Sequence, residues 1–262
     1  MFRVLKERQR RRLREQPVPE EWRAIIAHNV PFFARLPEAD QKELLGHVQV
    51  LLAEKRFEGC GGLQLTDEIR VTIATQACLL LLHRKTDYFP QLLTILVYPS
   101  GYVVEENRPV DGVVWSEGKQ GRLGETGRGM GSMVLAWDAA KRGALDPSDG
   151  KNLVLHEFAH QLDFEDSAAD GVPALGSRDD KRAWAEVMKV EFAALRAADE
   201  TGIPTLLDGY GATNPAEFFA VATEAFFERP LALRQRRPRL YGELQRFFRQ
   251  DPALFSSEPS PR

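Results

Sequence analysis

Residues 153–163 read LVLHEFAHQLD, and this stretch predicts more about the chain than any other. On an α-helix, side chains four residues apart lie on the same face, so the imidazoles of His156 and His160 can bind one metal ion. Imidazole is a common ligand of zinc, and Glu157 lies where a carboxylate can take a proton from a water molecule on that ion. This HExxH spacing is typical of zinc peptidases.

A second interpretation of the same residues is a solvated helix face that carries two histidines and a glutamate. The neighbouring side chains argue against it, because they are apolar and predict a helix that is buried on most sides. These neighbours are Leu153, Val154, Leu155, Phe158, Ala159 and Leu162. Buried polar side chains need partners, and one metal ion would satisfy His156, Glu157 and His160 together.

The third ligand must come from elsewhere, because a catalytic zinc takes three protein ligands and keeps a fourth position for water. The other histidines are His28, His47 and His83. They fall in predicted N-terminal helices, where we expect surface or capped residues. A predicted helix after Asn214-Pro215 carries Glu217, Glu224 and Glu228. Glu217 and Glu224 share one face of it, but Glu217 could instead fill a capping box, so spacing leaves both open as the ligand.

Two segments of the chain resemble a known family. Tyr210–Ala220 reads YGATNPAEFFA, and with HEFAHQLD at His156–Asp163 it resembles the Mlc titration factor A (MtfA) family of bacterial zinc peptidases. The same two segments are similar to the catalytic domain of anthrax lethal factor. The resemblance to the MtfA family covers most of the chain, whereas the resemblance to lethal factor is confined to these segments.

This resemblance implies a set of site residues and a partner. In both families the glutamate that matches Glu217 is the third zinc ligand, so one zinc ion per chain is expected on His156, His160 and Glu217. In lethal factor the tyrosine that matches Tyr210 assists catalysis, which implies the same for Tyr210 beside the general base Glu157. The MtfA family is named for sequestering the glucose-transport repressor Mlc, which implies a similar transcriptional repressor as a possible partner.

Two of these residues have plain alternatives. Tyr210 precedes the ligand helix on a loop, where its phenol could donate a hydrogen bond to a developing oxyanion or could simply pack. Asp163 follows His160 by three residues on the ligand face. Its carboxylate could orient an imidazole from behind, or it could lie at a solvated helix end.

Around the motif, the sequence predicts an α+β fold: a zincin-like metallopeptidase domain with a small mixed sheet, an HExxH helix and a ligand helix, behind an N-terminal helical layer. Strands are predicted at Leu93–Tyr98, Tyr102–Val104, Val113–Trp115 and Ser132–Trp137. The HExxH helix is predicted at Gly150–Phe164, and further helices at Asp179–Ala198, Asn214–Glu228 and Pro238–Gln250. We expect Ser132–Trp137 to be the edge strand above the cleft, and the glycine-rich Gly118–Gly131 to be a movable lid.

The expected organisation is one domain with two short ends. Residues 1–19 form a basic arm that we expect to be flexible and solvated, although arginines at 8–14 could also contact nucleic acid or an acidic partner. Residues 20–255 form the domain, with the helical layer at 20–90 and the sheet and active-site region at 91–255. Residues 256–262 are a tail.

Composition limits the class of protein. The 262 residues carry 35 basic and 38 acidic side chains, a formal charge of -3, so no global cationic field favours nucleic acid or an anionic membrane. The longest apolar run, Ala77–Leu82, is far shorter than the roughly 20 residues of a membrane span. Two cysteines, Cys60 and Cys78, suit a reducing compartment, so we expect a cytoplasmic protein that acts on a peptide or protein substrate.

Two functions follow as hypotheses. The first is a zinc-dependent peptidase in which Glu157 is the general base. The alternative is a cytosolic regulator that binds and sequesters an Mlc-like repressor, with catalysis secondary.

Overall fold

The computed structural model describes residues 2–101, 124–126, 131–166 and 170–256. The α-helices of these ranges are α1 (Phe2–Glu15), α2 (Glu20–Asn29), α3 (Glu38–Glu54), α4 (Asp67–Leu79), α5 (Trp137–Leu145), α6 (Leu153–Asp163), α7 (Arg178–Glu200), α8 (Pro215–Glu228), α9 (Pro230–Arg236) and α10 (Pro238–Phe248). The strands are β1 (Arg56–Gly59), β2 (Thr94–Tyr98), β3 (Gly124–Thr126) and β4 (Ser132–Ala136). A mixed fold of helices around a small sheet is therefore confirmed.

The described strands form one sheet in the order β1-β2-β4-β3. Strands β1, β2 and β4 are parallel, with Ile95 opposite Phe57 on one side and Met133 on the other, while β3 runs antiparallel to β4. The strand predicted at Ser132–Trp137 exists as β4, but it lies between β2 and β3 and not at the edge. That expectation was wrong because the order of strands in a sheet depends on pairing between distant segments.

Several expectations fall partly or wholly outside the described residues. The strands predicted at Tyr102–Val104 and Val113–Trp115 lie there, as does most of the glycine-rich lid at Gly118–Gly131. Within that lid, the described residues 124–126 form β3, where we had expected only a loop.

The basic segment predicted as a solvated arm is instead helix α1, which packs on α3. Arg10 is 4% exposed, and its Nε and Nη2 atoms lie 2.6 and 2.8 Å from the two carboxylate oxygens of Glu54 on α3. Its guanidinium also lies over the Tyr88 ring. The charge run suggested solvation, but helical periodicity turns Arg10 toward an acidic partner that the local sequence does not reveal. The other domain boundaries stay a prediction.

The core joins the N-terminal helices to the elements that carry the HExxH motif. Helix α4 is buried along nearly its whole length. Phe158 of α6 packs edge to face on Phe89, with ring centroids 4.7 Å apart. Helix α6 packs along α8, and this pairing brings the two ligand-bearing helices together. In the described ranges, no helix has both the length and the apolar character that crossing a membrane requires.

Candidate metal centre

The two histidines of the motif lie on α6, which is fixed at its start by a side-chain cap. The Asn152 side chain accepts a hydrogen bond from the backbone N–H of Leu155 at 3.0 Å, and this satisfies one of the free donors at the helix start. His156 and His160 follow one turn apart, with ring centroids 4.9 Å apart. The structure therefore places both imidazoles on one face, as the spacing predicted.

Glu217 is delivered by the first turn of α8. Asn214 is the N-cap of this helix and accepts a hydrogen bond from the backbone N–H of Glu217 at 3.0 Å, with Pro215 at the first helical position. The Glu217 carboxylate reaches across to α6. Its Oε2 lies 3.0 Å from Nε2 of His156 and 3.3 Å from Nε2 of His160.

The three side chains fit a tetrahedral metal ion. The two Nε2 atoms are 3.3 Å apart, so the three candidate ligand atoms form a triangle with sides of 3.0, 3.3 and 3.3 Å. Ligands at the zinc–nitrogen distance of about 2.05 Å and at tetrahedral angles are separated by about 3.3 Å. Two imidazoles and a carboxylate at these separations match the donor set and the spacing of three protein ligands on one zinc ion.

The electrostatics of the three groups are strongly coupled. Burial raises the pKa of Glu217, but hydrogen bonds from His156 and His160 outweigh burial and hold the pKa well below its usual value. Burial lowers the pKa of His156, yet its hydrogen bonds to Glu217 and Glu224 leave that pKa well above the usual value. The carboxylates therefore favour positive charge at this point, whether a proton or a metal ion supplies it.

Glu224 contacts the other edge of the His156 ring. Its Oε1 lies 2.8 Å from Nδ1 of His156, while its Oε2 accepts the backbone N–H of Asn152 at 2.5 Å. A carboxylate that accepts the Nδ1 proton leaves Nε2, on the Glu217 side, as the nitrogen whose lone pair a metal ion would use in place of a proton. Spacing alone did not distinguish Glu217 from Glu224 as the candidate third ligand. The geometry distinguishes them, because Glu217 lies at Nε2 of His156 and Glu224 lies at Nδ1.

The two residues expected to be catalytic flank this centre. Glu157 is 5% exposed on α6. Tyr210 is 53% exposed, and its ring centroid lies 5.9 Å from that of His156. The Tyr210 backbone N–H donates to the Asp208 carboxylate, which also pairs with Lys151 at 3.0 Å. Burial raises the pKa of Asp208, but its hydrogen bonds with Tyr210 and Lys151 lower that pKa overall. The ionised Asp208 carboxylate therefore fixes the turn that contains Tyr210.

Asp163 does not lie at a solvated helix end, since it is 0% exposed. Its Oδ2 accepts the backbone N–H of Gly171 at 3.0 Å, which ties the segment after α6 back to the helix. Burial raises the pKa of Asp163 to about 6. Sequence reasoning missed this loop contact, because Gly171 lies beyond the range of helical spacing.

The remaining histidines lie apart from the centre, as expected. His28 is exposed, as expected, but His47 is buried in α3 with its Nδ1 2.7 Å from the Tyr88 hydroxyl, so the expectation of a surface or capped residue was wrong there. His83 lies between two carboxylates, 3.4 Å from Asp40 and 3.2 Å from Glu43. Asp40, Glu43 and His83 form a second group of potential cation ligands. Each ring nitrogen of His83 faces a different carboxylate of that group.

Comparison with known proteins adds the family. Residues 4–249 match the family described as glucose-regulated metallo-peptidase M90. The chain belongs to this M90 metallopeptidase family. It is 33% identical to Mlc titration factor A of Yersinia pestis and of Yersinia pseudotuberculosis, over 88% of this chain and 85% of theirs. It is also 40% identical to an uncharacterized protein of Synechocystis sp., over 93% of this chain and 89% of that protein. The resemblance to the MtfA family is thus confirmed.

Proposed function

We propose that this M90 family member is a zinc-dependent peptidase that hydrolyses peptide bonds in a peptide or protein substrate. The main support is the triangle formed by His156 Nε2, His160 Nε2 and Glu217 Oε2. Its sides of 3.0 to 3.3 Å match the separations of three ligand atoms on one tetrahedral zinc ion, which would keep its fourth position for water. The small sheet beside an HExxH helix and a ligand helix supports a zincin-like domain. One zinc per chain and a cytoplasmic location stay predictions.

When bound, zinc would supply Lewis acidity, which lowers the pKa of water toward about 7 and polarises a peptide carbonyl. Glu157 lies next to the ligand His156 and is buried, so its carboxylate can take the proton of the attacking water and later deliver it to the leaving amine. The Tyr210 phenol, beside the His156 ring and open to solvent, can donate a hydrogen bond to the oxyanion. Glu224 holds His156 in the binding tautomer throughout.

Substrate can approach the sheet edge formed by β3. Among the described strands, β3 lies at one end of the order and β4 does not. We therefore propose the outer edge of β3 as the place where an extended peptide pairs with the sheet. Helix α6 contacts β3, so a peptide on that edge would pass the metal centre.

The deciding experiment separates metal binding from proton transfer. Glu157→Gln should keep about one zinc per chain and the wild-type thermal stability, yet lose cleavage of a fluorogenic peptide library by at least about 100-fold, because only the base is removed. Glu217→Ala should lose the zinc itself, as measured by elemental analysis after gel filtration. Undiminished turnover by Glu157→Gln would refute the peptidase mechanism, and full zinc in Glu217→Ala would refute that ligand.

A second candidate function is sequestration of a transcriptional repressor. The observation that favours it is the 33% identity to proteins named Mlc titration factor A. Binding and hydrolysis can coexist in one chain. If this protein binds an Mlc-like repressor in a pull-down with purified components, Glu157→Gln should bind it as well as wild type does while hydrolysis is lost.

A further inference from the structure

A pocket lies beside the start of α6, away from the metal ligands. Its volume is about 130 Å³, close to the roughly 150 Å³ of an engineered cavity that holds benzene. The apolar part of its wall comprises Phe32, Leu36, Leu79, Leu155, Phe227 and Phe255. The pocket therefore offers room for one ring-sized apolar group between the N-terminal helices, α8 and the C-terminal segment.

Two arginine side chains in the wall of this pocket form no salt bridge among the described residues. Arg35 ends the short helix Pro31–Arg35, and Arg249 follows α10, and both residues are exposed to solvent. Nη1 of Arg249 lies 3.5 Å from the His83 carbonyl oxygen, at the outer limit of a hydrogen bond. A guanidinium group binds a carboxylate more strongly than a neutral carbonyl, because both partners are charged. The two arginines therefore offer a binding place to an anion.

The ionised acids in the same wall already have partners within the protein. Oδ1 of Asp40 lies 3.4 Å from Nε2 of His83. Asp251 accepts hydrogen bonds from the Tyr241 hydroxyl at 2.5 Å and from Nε2 of Gln245 at 2.9 Å. These two carboxylates are therefore directed at groups of the wall itself and not at a ligand.

The remaining acid in the wall is neutral, and the surroundings of Arg249 are positive. Burial, above all, raises the pKa of Glu228 to about 9, so its carboxyl group holds a proton at pH 7. Burial also lowers the pKa of Arg84 to about 10, and the charge of Arg249 lowers it further against the opposing effect of Glu165. An anion beside Arg249 would relieve this repulsion between the two guanidinium groups.

The backbone of Arg249 adds a second reason to connect this side chain with a ligand. Arg249 has a φ of 56° and a ψ of 31°, in the left-handed region. Glycine adopts this conformation without steric cost, whereas a residue with a Cβ atom does not. The arginine is therefore kept at some cost in stability, and strained residues of this kind cluster at binding sites.

We infer that this pocket binds a small carboxylate with an apolar body, which pairs with Arg35 and Arg249 and packs against the aliphatic and aromatic wall. A neutral ligand of the same shape would gain only the apolar contacts, and the two arginines disfavour a cationic one. Binding does not require zinc, so the inference is separable from the peptidase proposal.

The test is an NMR titration of the 15N-labelled full chain, metal-free and zinc-loaded, with phenylacetate as the probe and phenylacetamide as its neutral counterpart. Phenylacetate has ten heavy atoms, so a dissociation constant of about 1 mM or tighter is expected. The shifts should concentrate at Leu79, Leu155 and Arg249, and phenylacetamide should bind at least about tenfold more weakly. Raising the salt from about 20 mM to about 500 mM should weaken phenylacetate alone, because salt screens exposed charges.

Three variants locate the charged part of the site. Arg249→Gly removes the guanidinium and relaxes the backbone, so it should keep or raise the thermal stability and weaken phenylacetate at least about fivefold. Arg35→Gln should weaken phenylacetate to a similar extent. Arg23→Gln is the matched control, since Arg23 is an exposed arginine on α2 outside the pocket wall, and it should bind phenylacetate as wild type does.

Several results would overturn the inference. These are equal affinity for the two probes, binding of phenylacetate that does not depend on salt, and no saturable shift at all. Unchanged affinity in either Arg35→Gln or Arg249→Gly, or an equal loss in Arg23→Gln, would also overturn it. Binding that appears only in the zinc-loaded protein would assign the carboxylate to the metal ion instead of the pocket.

Discussion

Replacing Glu224 with Gln tests whether this carboxylate supports metal binding through His156, and it leaves the three proposed ligands unchanged. The wild-type carboxylate accepts two hydrogen bonds on different oxygens, from His156 Nδ1 at 2.8 Å and from the Asn152 backbone N–H at 2.5 Å. A Gln amide has one acceptor oxygen, and its NH2 group would face the second donor. Either His156 or Asn152 therefore loses its acceptor in Glu224→Gln.

The expected effect on metal binding follows from that loss. A neutral Gln oxygen that faces Nδ1 is a weaker acceptor than the carboxylate, and an NH2 group that faces it is no acceptor. In either orientation the proton is held less firmly on Nδ1, and a proton on Nε2 competes with the metal. Loss of such a supporting partner costs about 10- to 100-fold in metal affinity, which is about 1.4 to 2.7 kcal/mol. The dissociation constant for zinc should rise by that factor, while the stoichiometry at saturating zinc stays at about one.

Glu54→Gln is the matched control. Glu54 also accepts two hydrogen bonds on its two oxygens, from Arg10 at 2.6 and 2.8 Å, but it lies on α3 and away from the metal centre. Both variants should lower the thermal stability of the metal-free protein, because each leaves a buried or half-buried donor without its acceptor. Competition with a chromophoric chelator should show weaker zinc binding only in Glu224→Gln. Equal zinc affinity in the two variants would refute the supporting role of Glu224.

Two further variants probe other parts of the molecule. Tyr210→Phe should lower kcat by about 10- to 100-fold with little change in KM, since the role proposed for the phenol is a hydrogen bond to the transition state, and an effect confined to KM would contradict this. Lys55 is buried against the carbonyl groups of Phe89 and Leu92, and burial lowers its pKa to about 8. Because the unfolded chain holds the Lys55 proton more tightly, this residue should raise the free energy of unfolding by about 2 kcal/mol between pH 8 and 10. Denaturant titrations of Lys55→Met should lack that rise, and a rise as large as in wild type would assign it to other groups.

Local spacing was enough to predict the parts of the site that lie on one element. The four-residue interval of His156 and His160 fixes their common face on α6, and Asn214-Pro215 marks the start of α8 ahead of Glu217. The strands at 94–98 and 132–136 were likewise visible from their β-branched and apolar residues bounded by turns. These features depend on residues within about one or two helical turns of each other.

Features that depend on distant segments could not be predicted in the same way. Strand β1 has only four residues, and it is defined by its parallel pairing with β2, nearly 40 positions away. The order that puts β4 inside the sheet comes from the pairing of β3. Helix α1 packs on α3 through Arg10 and Glu54, 44 residues apart. In each case the stabilising partner is absent from the local sequence, so β1 was not predicted, β4 was placed at the edge of the sheet, and α1 was expected to be a flexible arm.

Glu217 and Glu224 on α8 show an assignment that the sequence alone could not make and that the packing of the helices does make. Glu217 and Glu224 are seven residues apart on one face, so both are directed toward α6, and periodicity assigns them equal roles. Two helical turns along α8 correspond to about 10 Å, which is more than the width of an imidazole ring. As α8 crosses α6, Glu217 therefore meets His156 at Nε2 and Glu224 meets the same ring at Nδ1. A histidine that binds a metal ion through Nε2 almost always donates its Nδ1 proton to an acceptor, so the proposed site gives both carboxylates a role at one histidine. The interval of seven residues thus directs both carboxylates toward His156, and in the proposed site the packing of α8 on α6 makes Glu217 the candidate ligand and Glu224 its supporting partner.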